Sequence, residues 1–281
     1  MIKVIHPGFF STIQDMGRFG YRDKGVPVCG CMDNYSASMA NSLLENHEMD
    51  AVMEITMTGP KLEFHTASFF SITGAEMSPA LNSVPINSYG VHKANEGDIL
   101  SFGRLINGFR SYLAVKGGFL TESKLKSRSF YKPITDRNCI KEHMEIPIEG
   151  YSDYSPKISH IIPEASHKEH ELNVYKGPEY NILTDDQLKL LFANKFTIAK
   201  ENNRMAYQLE ELIGAQSHRM LTSATLPGTV QLTPAGKLII LMRDGQTTGG
   251  YPRILQLATK SIAILSQKKF GDEVSFHLLQ H

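Results

Sequence analysis

Short apolar segments separated by turn residues recur along the chain. They are rich in β-branched and aromatic residues, and Gly, Pro, Asn or Asp bounds them. The clearest are KVIHP (3–7), LEFHTASFFSIT (62–73), DILSF (98–102), SYLAV (111–115), KLIILM (237–242) and EVSFHLL (273–279). This pattern predicts strands, and therefore a mainly β protein.

Two segments instead have the period of a short helix. Asp33 is a suitable N-cap for the segment YSASMANSLLEN that begins at residue 35, and Thr184 is a suitable cap for QLKLLFAN (187–194). The apolar face of the first helix is expected to comprise Tyr35, Met39, Leu43 and Leu44.

The chain also contains weak internal similarity at offsets between 170 and 174 residues. The matching pairs are EGDILSF (96–102) with FGDEVSF (270–276), VIHPGFFSTIQD (4–15) with VYKGPEYNILTD (174–185), and FSITGAE (70–76) with LMRDGQT (241–247). Their common order favours two copies of one β-rich unit, although chance similarity is an alternative.

A polar segment, SDYSPKISHIIPEASHKEHE (152–171), lies between the two proposed copies and is typical of a linker or a long surface loop. We set the boundary near residue 165, which gives an N-terminal unit of residues 1–165 and a C-terminal unit of residues 166–281. The three histidines of this segment are interpreted as solvated side chains.

Charge and composition narrow the range of functions. The 281 residues are 41% hydrophobic, and 29 basic residues balance 29 acidic ones, so no global field favours nucleic acid or an acidic membrane. The amino terminus lacks an apolar signal-peptide core, so a cytoplasmic location is expected. Three cysteines do not indicate a disulfide framework, and Cys29-Gly30-Cys31 lacks a second ligand pair, so no metal site is expected.

The most polar loop of the chain is DGQTTGGYP (244–252), directly after a predicted strand. Its carboxylate, carboxamide, hydroxyls and phenol form an array of donors and acceptors suited to a small polar ligand, and loops at strand ends often carry function. A plain long turn would use similar residues. Both interpretations remain open.

A second polar cluster lies in STIQDMGRFGYRDKGVP (11–27). Its glycines allow a tight fold that directs Gln14, Asp15, Arg18, Tyr21 and Arg22 to one place. A loop held by salt bridges is an equal alternative. Arg128 and Arg204 stand in small polar turns, where an arginine either holds an anion or ties down the loop. Phosphate-loop, dinucleotide, zinc-protease and serine-nucleophile motifs are absent from the sequence.

Several of these motifs together resemble the biotin-dependent carboxyltransferase family, which includes the C subunit of 5-oxoprolinase, the second subunit of allophanate hydrolase and part of urea carboxylase. The motifs are GFFSTIQDMGRFGYRDKGVPVCGCMDNYSASMANSLL, EITMTGP, ITGAE, YLAVKGG, SRSFY and DGQTTGGYP, and the similarity runs from residue 1 to about residue 276.

The resemblance implies a fold of tandem cyclophilin-like β-barrel units with a few short helices. It also implies work in a complex with two further 5-oxoprolinase subunits, one cyclophilin-like and kinase-inhibitor-like, the other LamB/YcsF-like. This complex couples ATP hydrolysis to the opening of 5-oxo-L-proline to L-glutamate. ATP is then expected at a shared or partner site. The chain has no biotinyl-lysine motif, so no covalent biotin is expected on it.

Roles for individual residues follow from this resemblance as expectations. The catalytic candidates are Asp15, Asp244, Gln246, Thr247 and Thr248. The substrate-binding candidates are Gln14, Arg18, Tyr21, Arg128, Arg204 and Tyr251. The segments 14–21 and 244–251 are expected to line one cleft.

Two departures from the family pattern leave alternatives open. Where members usually carry Asp-Arg-Met-Gly, this chain has Asn203-Arg204-Met205-Ala206, and where they have Ser-Glu-Gly it has Ser223-Ala224-Thr225. The alternatives are carboxyl transfer from biotin on a separate carrier to a urea-like or amide substrate, and a non-catalytic antagonist of the cyclophilin-like kinase inhibitor. Loss of the acidic residues favours the antagonist.

Overall fold

The computed structural model describes residues 1–162 and 169–280. These residues form two compact units, 1–18 with 29–162, and 19–28 with 169–280. The predicted boundary near residue 165, like His167, lies outside the described residues. The sequence assignment placed residues 19–28 in the first unit, whereas the structure groups them with the second, where the Arg22 side chain donates a hydrogen bond to the Thr225 carbonyl.

The first unit consists of two antiparallel sheets. Its strands are β1 (Ile2–His6), β2 (Phe10–Gln14), β3 (Val52–Thr56), β4 (Lys61–Phe64), β5 (Ser68–Glu76), β6 (Pro79–Leu81), β7 (Val84–Pro85), β8 (Val91–Ala94), β9 (Ile99–Phe102), β10 (Asn107–Val115) and β11 (Glu145–Ile146). One sheet has the order β11-β1-β4-β9-β6-β7 and the other β2-β3-β10-β5-β8.

The second of these sheets is covered on both faces, which explains why its inner strands β3 and β10 are almost continuously buried. Along β10, Leu113 belongs to one apolar core, while the neighbouring Tyr112 and Ala114 belong to another. Successive side chains of a strand point to opposite faces, so a strand between two cores needs apolar residues at every position. The apolar run SYLAV is therefore a central strand.

Helix α1 (Asn34–Leu43) packs on this sheet through contacts with β5 and β10. Asp33 is its N-cap, as predicted, and accepts hydrogen bonds from the Ser36 amide at 3.0 Å and the Ser36 hydroxyl at 2.7 Å. The predicted apolar face is partly wrong, because Tyr35 is 48% exposed and Met39 only half-buried. The buried residues of the helix are Ser36, Ala37, Ala40, Asn41 and Leu43, so the prediction holds for Leu43.

The second unit is organised around one seven-stranded sheet. Its strands are β12 (Glu171–Lys176), β13 (Phe196–Thr197), β14 (Ala206–Leu212), β15 (Ser223–Ala224), β16 (Thr229–Leu232), β17 (Lys237–Leu241), β18 (Thr248–Gly249), β19 (Arg253–Leu257) and β20 (Glu273–Leu278). The sheet order is β13-β20-β12-β19-β16-β17-β14, and β15 and β18 form a separate ribbon.

The two edges of this sheet meet. Beyond β13, Ile198 forms an antiparallel bridge with Leu209 of β14, and the Ala199 amide donates to the Gln208 carbonyl at 2.9 Å. The sheet is therefore a nearly closed barrel. Its side chains at Val174, Phe196, Tyr207, Ile240 and Phe276 are buried in the core.

Two helices belong to the second unit. In α2 (Asp185–Ala193), Thr184 and Gln187 form a reciprocal capping box, which confirms the predicted cap. Helix α3 (Thr259–Ser266) was not predicted. The expectation of a mainly β protein with barrel architecture and a few short helices is confirmed.

The internal similarity does not align equivalent elements throughout. The 171-residue offset pairs β5 with residues 241–247, where β17 ends and the chain enters a loop. Likewise β9 lies between β4 and β6 with antiparallel partners, whereas β20 pairs in parallel with β12. The short matches therefore do not by themselves define a common strand order.

Candidate functional site

The polar loop 244–251 of the second unit begins at an arginine–carboxylate clamp. Arg204 donates from Nε to one oxygen of Asp244 at 2.8 Å and from Nη2 to the other at 2.9 Å, and the Asp244 amide donates to the Arg204 carbonyl at 2.9 Å. The two side chains are only 8% and 14% exposed. Because both carboxylate oxygens accept from the arginine fork, the pair anchors the start of the loop. The expected roles of Asp244 as base and Arg204 as anion ligand stay predictions.

The middle of the loop is held through its backbone by Thr225. The Thr225 hydroxyl donates to the Gln246 carbonyl at 2.5 Å, and the Thr225 amide donates to the Thr247 carbonyl at 3.0 Å. The Thr225 carbonyl accepts from Arg22, and burial lowers the pKa of that guanidinium. One threonine thus links the amino-terminal motif to the polar loop within the second unit.

After Asp244, the polar side chains of the loop remain at least partly open to solvent while its backbone is fixed. Gln246 and Thr248 are exposed and Thr247 is half-buried. Within residues 1–162 and 169–280, their side-chain polar atoms make no hydrogen bond to the protein. Tyr251 is 42% exposed. A carboxamide, two hydroxyls and a phenol on a fixed backbone can orient a small polar ligand at little cost in conformational entropy.

Gly245 and Gly249 are the closely packed glycines of the loop. A Cβ on Gly249 would lie 2.4 Å from Gln231 Nε2, and one on Gly245 would lie 2.9 Å from the Met242 carbonyl oxygen. At Gly250 a Cβ would meet no neighbour. Backbone packing therefore requires glycine at position 245, whereas at position 249 the Gln231 side chain would have to move.

Tyr21 also belongs to the second unit. It is half-buried, its carbonyl accepts from the amides of Lys24 and Val26, and Lys24 Nζ lies 5.7 Å from the centre of its ring. The segment around it forms a short 3-10 turn, Arg22–Lys24. The structure thus places Tyr21 with the polar-loop residues in the same unit.

In the first unit, Asp15 is the centre of a buried polar cluster. One of its oxygens accepts from the Gly17 amide at 2.8 Å and from the hydroxyls of Ser127 and Ser129, both at 2.7 Å; the other accepts from the Arg128 amide at 2.6 Å. The residue is 4% exposed. A carboxylate with this many donors ties the chain near residue 15 to the segment near residue 128.

Gln14 and Arg128, two other predicted site residues of the first unit, also make hydrogen bonds within this unit. Gln14 Nε2 donates to the Thr12 hydroxyl at 3.0 Å and to the Phe130 carbonyl at 3.2 Å. Arg128 donates to the Thr121 carbonyl.

Arg18 is fully buried and donates to the carbonyls of Lys124 and Ser129. Its Nη1 has no hydrogen-bond partner in the described part of the chain. The predicted site residues therefore form two clusters, one in each unit.

Burial also changes the titration of two tyrosines in the first unit. The Tyr112 hydroxyl donates to Glu54 at 2.9 Å and accepts from the Asp33 amide at 2.8 Å, and burial raises its pKa well above the ordinary value. The Tyr89 hydroxyl lies against the backbone of Gly74, and burial raises its pKa to about 12. Both tyrosines therefore stay neutral at physiological pH.

Sequence reasoning missed several residues that shape the polar loop. Thr225, Glu179 and Arg253 were not among the candidates, and Arg22 was named in the amino-terminal cluster without an assigned role. The contacts of these residues join positions far apart in the chain. The motif around Arg22 was the one available signal.

Cys31 packs in the core beside α1, and no group of three or more metal-ligating side chains occurs in the described ranges. No helix there has the length and apolarity to span a membrane.

Comparison with known proteins places this architecture in a family. A model described as the carboxyltransferase domain, subdomain A and B, matches residues 24–278. The C subunit of 5-oxoprolinase from Escherichia coli K12 is 29% identical over 98% of this chain and 90% of its own length. The protein of the same description from Haemophilus influenzae is 30% identical over the same shares.

A solved structure supports the same family assignment. The urea carboxylase of Kluyveromyces lactis superposes with a TM-score of 0.87 at 25% identity, over 99% of this chain and 27% of that one. This chain thus corresponds to about a quarter of that structure. By its sequence over residues 24–278 and by its fold, the chain belongs to the carboxyltransferase-domain family of subdomains A and B.

Proposed function

We propose that this chain is one subunit of an ATP-dependent 5-oxoprolinase that, together with its cyclophilin-like and LamB/YcsF-like partner subunits, opens 5-oxo-L-proline to L-glutamate. The near full-length similarity to two proteins described as the C subunit of 5-oxoprolinase supports this assignment. The observation that carries it in the structure is the polar loop, whose backbone is anchored while Gln246 and Thr248 face solvent.

A lactam needs activation and orientation to be hydrolysed, because its carbonyl is a poor electrophile. ATP, as co-substrate, supplies the activation by phosphorylating the lactam oxygen; overall, one lactam, one ATP and two waters give L-glutamate, ADP and phosphate. In this proposal Gln246, Thr247 and Thr248 hydrogen-bond the ring amide and hold its carbonyl carbon for water. Tyr251 covers one face of the ring.

The three arginines proposed to hold a carboxylate or phosphate differ in their contacts. Arg204 uses its fork on Asp244, and Arg128 donates to the Thr121 carbonyl. Arg18 retains a buried Nη1 without a hydrogen-bond partner among the described residues. Since a buried guanidinium favours an anionic partner, we propose Arg18 as the anion ligand of the first unit, for a carboxylate or a phosphate.

The hydrogen bonds of Asp244 and Asp15 bear on whether either carboxylate is the general base. Asp244 and Asp15 both have their oxygens occupied by donors of this chain. We therefore propose that they position the loop and the 127–129 segment, and that ATP and the base belong to a shared or partner site. This division is consistent with the absence of a phosphate-loop motif from the sequence.

The test is glutamate formation and ATP hydrolysis by this chain mixed with its two cognate partner subunits. A Gln246→Ala, Thr247→Ala double variant removes two ligand contacts and should lower kcat/KM for 5-oxoproline by about 100-fold, as two hydrogen bonds of about 1–1.5 kcal/mol each would. Gln280→Ala, an exposed polar residue outside the loop, is the control. Assembly without lactam-dependent turnover would contradict the proposal.

A second function, carboxyl transfer from biotin on a separate carrier, is favoured by the family model and by the likeness to urea carboxylase. The same polar array would then hold a urea-like or amide substrate. Carboxylation of urea by this chain with a biotinylated carrier and a biotin carboxylase, in the absence of 5-oxoproline turnover, would replace the first proposal with this one.

A further inference from the structure

The ribbon of β15 and β18 carries Thr248, one of the ligand-facing residues of the polar loop. Its strands are only two residues each, Ser223 pairing with Gly249 and Ala224 with Thr248. An isolated two-stranded ribbon of this length has little stability of its own. Something outside the ribbon must therefore hold it in position.

An ion pair at the start of β19 makes one such contact, in addition to the hydrogen bond from Arg22 to the Thr225 carbonyl. Arg253 donates from Nε to one oxygen of Glu179 at 2.9 Å and from Nη2 to the other at 2.7 Å. Its remaining terminal nitrogen, Nη1, donates to the carbonyl of Ala224 at 2.6 Å. One guanidinium thus joins a carboxylate to the backbone of β15.

The position of Glu179 is itself set by the backbone. The Arg253 amide donates to Glu179 Oε2 at 2.9 Å, and the Glu179 amide donates to the Arg253 carbonyl at 3.1 Å. A Cβ on Gly177 would lie 2.2 Å from the Arg253 carbonyl oxygen, so only glycine permits this approach. The side chains are 18% and 19% exposed, which protects the pair partly from screening.

We infer that the Glu179–Arg253 ion pair is a positioning pair, which sets the β15–β18 ribbon and through it the orientation of Thr248 and the neighbouring Gln246 toward the substrate. The kinetic part of this inference rests on the proposed function. Arg253 binds the backbone carbonyl of Ala224, so this contact does not depend on the identity of the side chain at position 224.

The pKa shifts of Glu179 and Arg253 agree with the hydrogen bonds between them. Hydrogen bonds from Arg253 hold the pKa of Glu179 below its ordinary value, and the hydrogen-bonded Glu179 carboxylate raises the pKa of Arg253. Both groups are therefore charged at physiological pH. A fork that serves three acceptors needs arginine, since a lysine ammonium lacks its planar, fixed geometry.

The structural test is amide hydrogen exchange of the full chain carrying Glu179→Gln or Arg253→Lys. Each change should speed exchange in segments 222–226 and 246–250 by about tenfold, the equivalent of one charge-assisted hydrogen bond, while β16 keeps its rate. The control is Lys195→Met, which removes an exposed ion pair with Glu273 in the same unit. Unchanged exchange in the ribbon, or equal acceleration throughout the unit, would overturn the inference.

The kinetic test uses the reconstituted complex. Both variants should lower kcat/KM for 5-oxoproline by about tenfold and leave KM for ATP within about twofold, a split that general destabilisation would not produce. Faster ribbon exchange with unchanged lactam kinetics would refute the positioning role. If the wild-type complex does not turn over the lactam, the proposed function fails, and the exchange experiment still decides whether the ion pair holds the ribbon.

Discussion

The Asp15 cluster of the first unit and the polar loop of the second use the same kinds of residue in opposite ways. Asp15 is 4% exposed and its oxygens accept from four donors of the chain. Gln246 and Thr248 are exposed, and beyond the Arg204–Asp244 clamp their part of the loop is held through its backbone. Side chains satisfied within the protein stabilise it, whereas side chains held outward on a fixed backbone are available to a ligand.

The largest expected effect is loss of stability when the buried cluster is broken. Asp15→Ala removes the acceptor of two hydroxyls and two amides and leaves these donors buried, so the free energy of unfolding of the first unit should fall by about 3 kcal/mol or more. This fall in the free energy of unfolding is measured by urea denaturation, with amide exchange near residues 127–129 as the readout for the first unit. Asp153→Ala, at an exposed carboxylate, is the control; equal stability of both variants would show that the cluster is not structural.

An intermediate effect is expected at high pH in the first unit. The folded-state pKa of Tyr89 is about 12, above its ordinary 10.0, so its contribution to stability is complete below pH 10 and is lost as the pH rises toward 12. Over that range the wild-type chain should lose about 2 kcal/mol more stability than Tyr89→Phe. Denaturation curves at stepped pH measure the difference, with the exposed Tyr35→Phe as control. Parallel curves for wild type and Tyr89→Phe would mean that the hydroxyl is not buried.

The smallest expected effect is on stability at the polar loop. Because Gln246 and Thr247 make no side-chain hydrogen bond within the described residues, their double replacement by Ala should change the free energy of unfolding by less than about 0.5 kcal/mol. Thermal and urea denaturation measure this beside the activity loss proposed above. A large stability loss here would erase the contrast between the two regions.

Local sequence signals predicted the elements better than their packing. The caps Asp33 and Thr184 mark their helices correctly, because a cap depends on residues three positions away. The buried face of α1 was predicted only in part, since Leu43 and Leu44 are buried whereas Tyr35 and Met39 are not. The predicted strand 62–73 divides into β4 and β5, and α3 was missed.

For the candidate site, too, the sequence predicted local features better than contacts between distant residues. Sequence motifs identified both polar regions, and the family assignment they suggested is supported over residues 24–278. They did not identify Arg253 or Thr225, because the contacts of these residues with Ala224 and Gln246 cross 29 and 21 positions. The cleft expected between segments 14–21 and 244–251 stays a prediction, with Asp15 in one unit and Tyr21 in the other.

The sequence by itself determined the β class, the helix caps and the family, since these depend on alternation, on neighbours within a turn and on motifs contiguous in the chain. Only the tertiary structure decided which polar cluster is closed and which is open. Ser127 and Ser129 close over Asp15 from more than 110 positions away, whereas Thr225 holds the loop by its carbonyls and leaves its side chains outward. Burial and hydrogen-bond satisfaction are properties of the folded neighbourhood, so residue type alone cannot specify them.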